Sequence, residues 1–476
     1  MTSRSWPLEP SADEMRAMLA AVSERIVEHI ETLPDQPASY TSDGRAEARA
    51  QREPPPDTGT DLEDVLTTLF DVCIPTSFNT AGPGYLAYIP GGGVFPSALA
   101  DLIANAVNRY VGVWVAAPAL VQLELNVVRW FCEIVGFPAG SGGILTSGGS
   151  LANLTAIVTA RRERLPDDFR RGTLYTSDQT HHSVRKSAVL AGFPEANVRE
   201  IPSNERQEMQ VDALVERIEA DRTAGFTPFL VVASAGTTNT GAVDPLPEIA
   251  DVSSRLGLWL HVDGAYGAFF ALTERGRTAL RGIERADSVT LDPHKGLFLP
   301  YGTGSLLVRD EQTLRRAHAT FADYMPTMQH DADFVDFCDM SPELSRDFRG
   351  LRAWLPIKLF GLDAFRDGLD EKLDLARWAA DRLREIPDMT IVCEPRLSLT
   401  AFRLEPAGLD TEAIDALNEE LLARINGLRN VYLTATRVDG RYALRICVLS
   451  FRTHMDRMEQ CLDDIRASVA EVQAGL

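Results

Sequence analysis

Between residues 84 and 365 the chain alternates short apolar runs with helix-like stretches, and three of the runs, FLVVASA (229–235), LWLHVD (258–263) and DSVTLD (287–292), read as buried strands. A strand covered on both faces carries apolar residues without a strict polar alternate, the mark of a parallel sheet layered between helices. The helical segment 245–256 lies between the first two runs and suits a crossover. GTGSLLVRD (302–310) follows the third run too closely for a helical crossover and is predicted to pair antiparallel. The expected architecture is therefore α/β with a mostly parallel central sheet.

The flanks differ in texture. Residues 12–33 place Met15, Met18, Leu19, Val22, Ile26 and Ile30 at spacings of three and four, an amphipathic helix that needs a surface to lie on. It lies either on a neighbouring subunit or on its own chain. Residues 34–61 are polar and proline-rich, with Pro54, Pro55 and Pro56 in a row, and read as a linker. After Leu351 a helical stretch leads into 371–385. Ribbons TIVCEP, LTAFRLEP and YALRICVLS then alternate with helices at 411–426 and 455–472, as in a smaller α+β domain. The expected division is an arm and linker (1–83), a large α/β domain (84–365) and a small domain (366–476).

Charge and cysteines narrow the function. A net charge of −21 argues against nucleic acid as a partner, because that binding needs concentrated Lys and Arg. The six cysteines are scattered without metal-ligand spacing and read as reduced thiols. No signal peptide is legible and no apolar run is long enough to span a membrane, so a cytoplasmic protein is expected.

Ligands of open α/β sheets collect at the carboxyl ends of strands. Asp263 ends one run, and Asp292, His294 and Lys295 end the next, so one crevice should hold them. A strand-end lysine is predicted to be buried, with a lowered pKa that frees its amine for a Schiff base. The segment GGILTSGGSLANLTAI leaves a strand, turns at glycines and enters a helix, a cradle for phosphate around Gly149 and Ser150. Taken alone, each feature has a plainer reading: a solvated lysine, a simple turn, and a capping or surface pair at His181 and His182.

Five strings in order, TSGGSLAN, YTSDQTHHSVRKSA, ASAGTTNTGAVD, WLHVDGAYGAF and ADSVTLDPHKG, resemble the group II decarboxylases that use pyridoxal 5'-phosphate (PLP). The resemblance is strong from about residue 84 to 362 and weak toward both ends. It implies the aspartate-aminotransferase fold (fold type I) and a homodimer whose subunits share active sites. It also implies PLP held as a Schiff base on Lys295, with Asp263 at the pyridine nitrogen, Ala265 under the ring and His181 stacked on its outer face. Gly149 and Ser150 would take the phosphate, Asp292 would adjoin the cofactor, His294 would touch either phosphate or substrate, and Thr238, with Thr237 as the local alternative, would sit near the phenolic oxygen. Tyr324, in a long polar loop, matches the tyrosine that protonates Cα after carbon dioxide leaves. Tyr88, Pro90 and Gly91, in YLAYIPGGGVFP, match the substrate side.

Four departures stand out: Asp292 where several relatives carry asparagine, Gly296 where tryptophan is common, His182 for a serine, and Gly91–Gly93 for bulkier residues. Arg445 reads either as a carboxylate ligand or as half of a structural ion pair. The implied activity is decarboxylation of an L-amino acid, aromatic favoured, to the amine. An aldehyde synthase, a transaminase and a PLP-binding interaction protein without turnover are the alternatives.

Overall fold

The computed structural model describes residues 8–40, 43–319 and 334–474. Seven strands build the central sheet: β1 (Gly142–Thr146), β2 (Gly172–Ser177), β3 (Val198–Ile201), β4 (Thr227–Ser234), β5 (Trp259–Asp263), β6 (Ser288–Leu291) and β7 (Gly304–Val308). Their order is β1-β7-β6-β5-β4-β2-β3. β3, β2, β4, β5 and β6 run parallel, and β7 lies antiparallel between β6 and β1, as the short connection before it required. The helix Leu246–Leu256 makes the β4–β5 crossover, ending at Gly257 with φ 70 in the left-handed region where glycine is favoured. β5, β6 and β7 are buried along their whole length. The architecture is the expected α/β one, with a mostly parallel central sheet.

The helical stretch Arg349–Arg384 breaks at Gly361 (φ 70) and leads to a second sheet. There β8 (Met389–Cys393), β9 (Leu399–Leu404), β10 (Thr434–Val438) and β11 (Arg441–Cys447) pair antiparallel in the order β10-β11-β9-β8. Helices Thr411–Leu428 and Met455–Ala474 cover it, and Leu404, Leu421, Leu444 and Ile465 share its core.

At the N-terminus, helix Ala12–Thr32 starts on a Ser11–Glu14 capping box and buries none of its residues. It touches the segment after it through Arg25–Asp71 (2.7 Å) and the His29–Phe70 ring pair. The stretch read as linker contains a short helix, Arg45–Ala50, because its charged, alanine-rich sequence favours helix where prolines are absent. No helix among the described residues is long and apolar enough to cross a membrane.

Candidate active site

A cavity of about 300 Å³ opens at the carboxyl ends of β5 and β6. Gly149, Ser150, His181, Thr238, Asp263, Ala265, Asp292, His294 and Lys295 all line it. In register, Asp263 pairs with Thr290, so the ends of both strands deliver their side chains to one place. Tyr88, Pro90 and Gly91 fall outside this lining. Tyr324 lies outside the described residues.

The charged side of the cavity is tight. Lys295 Nζ stands 2.9 Å from Asp292 Oδ2, and His294 Nε2 is 3.6 Å from the same oxygen. Burial pulls the Lys295 ammonium down, but Asp292, by charge and hydrogen bond, and Asp263 outweigh it, so the net shift is upward. This corrects the expectation of a lysine made neutral by burial. His294 donates from Nδ1 to the Thr303 carbonyl at 2.6 Å, and burial, its main influence, lowers its pKa. Asp292 is almost completely buried, and its Oδ1 has no hydrogen-bond partner among the described residues.

The glycines explain several departures. A Cβ on Gly149 would stand 3.0 Å from Asp292 Oδ2 and 3.1 Å from the Ala265 Cβ, so the turn must stay bare. A Cβ on Gly91 would stand 2.0 Å from the His294 carbonyl oxygen, which excludes any side chain there. Gly296 lies under Phe269, whose Cβ would be 2.6 Å from a side chain at 296; no tryptophan fits.

Arg445 forms no ion pair among the described residues. Its guanidinium donates to the backbone carbonyls of Asn239 (2.9 Å), Thr238 and Tyr88 and to the Thr434 hydroxyl (3.1 Å), tying β11 to the cavity loop. A buried arginine finds several acceptors more readily in exposed loop carbonyls than in one carboxylate. Thr237 is committed within its own loop, to Thr240 and the Ala242 amide.

Behind Asp263 lies a buried polar network that the sequence reading did not single out. Asn153 donates to Asp263 Oδ2 (2.9 Å) and to Ser183 Oγ (3.1 Å). His261 Nε2 (3.0 Å) and Thr290 Oγ1 (2.8 Å) meet Asn153 Oδ1. Ser183 Oγ meets His181 Nδ1 at 2.8 Å, and burial, the largest influence, lowers the His181 pKa. The signal was present: Asn153 interrupts the small apolar stripe Gly149, Ala152, Ala156, Ala160 of helix Gly149–Arg164, and His261 interrupts a fully buried strand. Buried polar residues in such places need partners.

The donor set fits a phosphate-bearing cofactor with a basic ring nitrogen. The first N–H groups of helix Gly149–Arg164 lack intrahelical acceptors, Gly149 leaves room beside them, and Asp263 offers a carboxylate held in place. Residues 47–405 match the model of the pyridoxal-dependent decarboxylase conserved domain. The chain belongs to the pyridoxal-dependent decarboxylases. Among this family, the aromatic-L-amino-acid decarboxylase of Bacillus atrophaeus is 36% identical over 467 residues, 98% of this chain and 97% of the relative. A solved Oryza sativa TDC with PLP and tryptamine superposes with a TM-score of 0.92 at 28% identity, covering 97% of this chain and 99% of that one. A Rhodiola rosea 4-hydroxyphenylacetaldehyde synthase gives 0.89 at 25% identity, covering 97% and 99%. The protein is a PLP-dependent amino-acid decarboxylase, a carbon–carbon lyase with PLP as its cofactor.

Proposed function

We propose that this decarboxylase converts an L-amino acid with an aromatic side chain to its amine and carbon dioxide, with Lys295 as the amine that holds the cofactor. The observation that carries the site assignment is the convergence of Lys295 and Asp263, from the ends of adjacent parallel strands, on the cavity lined by the Gly149–Ser150 turn. Similarity to the Bacillus aromatic-L-amino-acid decarboxylase supports the substrate class.

Bound there, PLP supplies an electron sink for the pair left when carbon dioxide departs. Asp263 keeps a proton on the ring nitrogen through its negative charge. The amides of Gly149 and Ser150 take the phosphate at the helix N-terminus, and Ala265 is small enough to let a flat ring lie against it. His181 covers the other side. Thr238, its hydroxyl uncommitted among the described residues, would meet the phenolic oxygen, and His294 and Asp292 steady Lys295. Tyr324 gives the proton to Cα, because a phenol with a reference pKa of about 10 is protonated at neutral pH. Tyr88, Pro90 and Gly91 form the substrate-side wall.

A second copy of the chain completes the enzyme. Helix Ala12–Thr32 leaves Met15, Leu19 and Val27 about half exposed, and helix Phe95–Val107 does the same with Leu102 and Ile103. Apolar stripes of this extent mark a protein interface. The two separate sheets support the division into arm (1–83), large domain (84–365) and small domain (366–476).

The test is borohydride reduction of the PLP-loaded protein with peptide mapping, joined to a screen of the twenty amino acids for carbon dioxide release. Cofactor fixed to Lys295, and amine from an aromatic substrate, are the expected results. Label on another residue sinks the site, and aldehyde with ammonia and peroxide moves the protein to the aldehyde synthases.

A further inference from the structure

The amide of Asn153 touches Asp263 on one side and, through Ser183, His181 on the other. Its orientation follows from chemistry. A carboxylate only accepts hydrogen bonds, so Nδ2 must face Asp263 Oδ2 and Oδ1 must face His261 and Thr290. His261 therefore carries its hydrogen on Nε2. Burial pushes His261 down to about 4, so the ring stays neutral at pH 7 and its Nδ1 accepts. Ser288 Oγ supplies that hydrogen at 2.8 Å and receives the Trp259 indole N–H at 2.8 Å. The chain of donors thus runs in one direction, from Trp259 through Ser288 and His261 to Asn153.

Beyond Asn153 the direction continues. Ser183 Oγ receives the Asn153 N–H, which leaves its own proton for His181 Nδ1 at 2.8 Å. The Ser183 backbone N–H also points to that nitrogen, at 3.4 Å. His181 must then keep its proton on Nε2. On the other arm, Asp263 is held at both oxygens, Oδ2 by Asn153 and Oδ1 by the Ala265 amide at 3.1 Å.

We propose that Asn153 is a positioning residue that fixes the Asp263 carboxylate and the His181 tautomer together, reading both from the buried donors of β5 and β6. This deepens the assignment of Asp263 and His181 above and rests on it.

The experiment compares the parent with Asn153→Leu, Ser183→Ala and Thr290→Val by ¹⁵N NMR of histidine-labelled protein, cofactor-free and PLP-loaded, and by the ring-nitrogen signal of ¹⁵N-labelled PLP. The parent should show His181 as the Nε2–H tautomer and a protonated ring nitrogen. Asn153→Leu should mix the tautomers, lower ring protonation and cut kcat about tenfold or more with little change in KM, as loss of an outer-shell partner does elsewhere. Ser183→Ala should disturb the tautomer alone, and Thr290→Val, which removes one of two donors to Oδ1, should fall between parent and Asn153→Leu. An Asn153→Leu protein with both signals unchanged overturns the proposal. If that variant does not fold, an unchanged His181 tautomer in Ser183→Ala overturns it instead. The cofactor-free spectra keep the two ideas separable: PLP fixed away from Lys295 would end the functional assignment, while the His181 readout would still decide the role of Asn153.

Discussion

The ends of β5 and β6 lie side by side and are built in opposite ways. At the end of β5, Asp263 has a donor at each carboxylate oxygen, and everything behind it, Asn153, His261, Thr290 and Ser288, is neutral and hydrogen-bonded. At the end of β6, Lys295 and His294 crowd within 3.6 Å of Asp292 Oδ2, and among the described residues Asp292 Oδ1 has no donor. The contrast separates two tasks: β5 fixes a charge in space, and β6 gathers groups whose protons can move.

Lys295→Ala should break the β6 end outright, removing covalent cofactor and lowering turnover by at least about 10³-fold, as loss of a covalent catalyst does. Borohydride fixation and carbon dioxide release measure both. Asp263→Asn tests the β5 end. Asn153 can still donate to the new amide oxygen, so the fold should hold while turnover falls about 10²-fold or more. Near-parental kcat with normal melting would show that the fixed charge is dispensable.

Asp292→Asn should have a smaller effect with a definite sign. Removing the carboxylate leaves burial as the main influence on Lys295, so the midpoint for amine labelling in the cofactor-free protein should move to lower pH. The parent's raised value means the ion pair stabilises the fold fully below the unfolded lysine value of about 10.4 and is lost as pH rises through the folded value. The variant should lack that alkaline loss, which urea midpoints against pH will reveal. Smallest is Gly296→Ala: its methyl meets Phe269 at 2.6 Å and should cost about 1–3 kcal/mol by overpacking, seen in urea midpoints.

The sequence made the strand ends legible because apolar runs and the turn after them are local features. It placed Asp263, Asp292, His294 and Lys295 at one crevice, and the antiparallel β7 followed from a short connection. What it hid were contacts between a helix and strands far away in the chain. Asn153 meets His261 across 108 residues and Asp263 across 110, and no periodicity announces such a contact. The pull of Asp292 on Lys295 was hidden for another reason. Burial and a neighbouring carboxylate act in opposite directions, and only distances decide which wins. The ion-pair reading of Arg445 failed because a sequence lists carboxylates but not carbonyls made available by a loop.

The position of β1 bears on how the molecule comes into being. In the sheet β1 pairs with β7 alone, Thr146 opposite Gly304, although the other five strands lie between them in the chain. A chain emerging from the ribosome can close the pairs among β2, β4, β5 and β6 while β1 still waits at the edge. Gly149 faces Ala265 and Asp292, but Gly148 lies against Gly304, so that side of the turn closes only when residues 304–308 arrive, and such distant closures are slow. The glycine turn thus depends on a strand made long after β1, and a chain that stops before Gly304 has the strand that ends in Asp263 but lacks the one on which β1 and Gly148 rest.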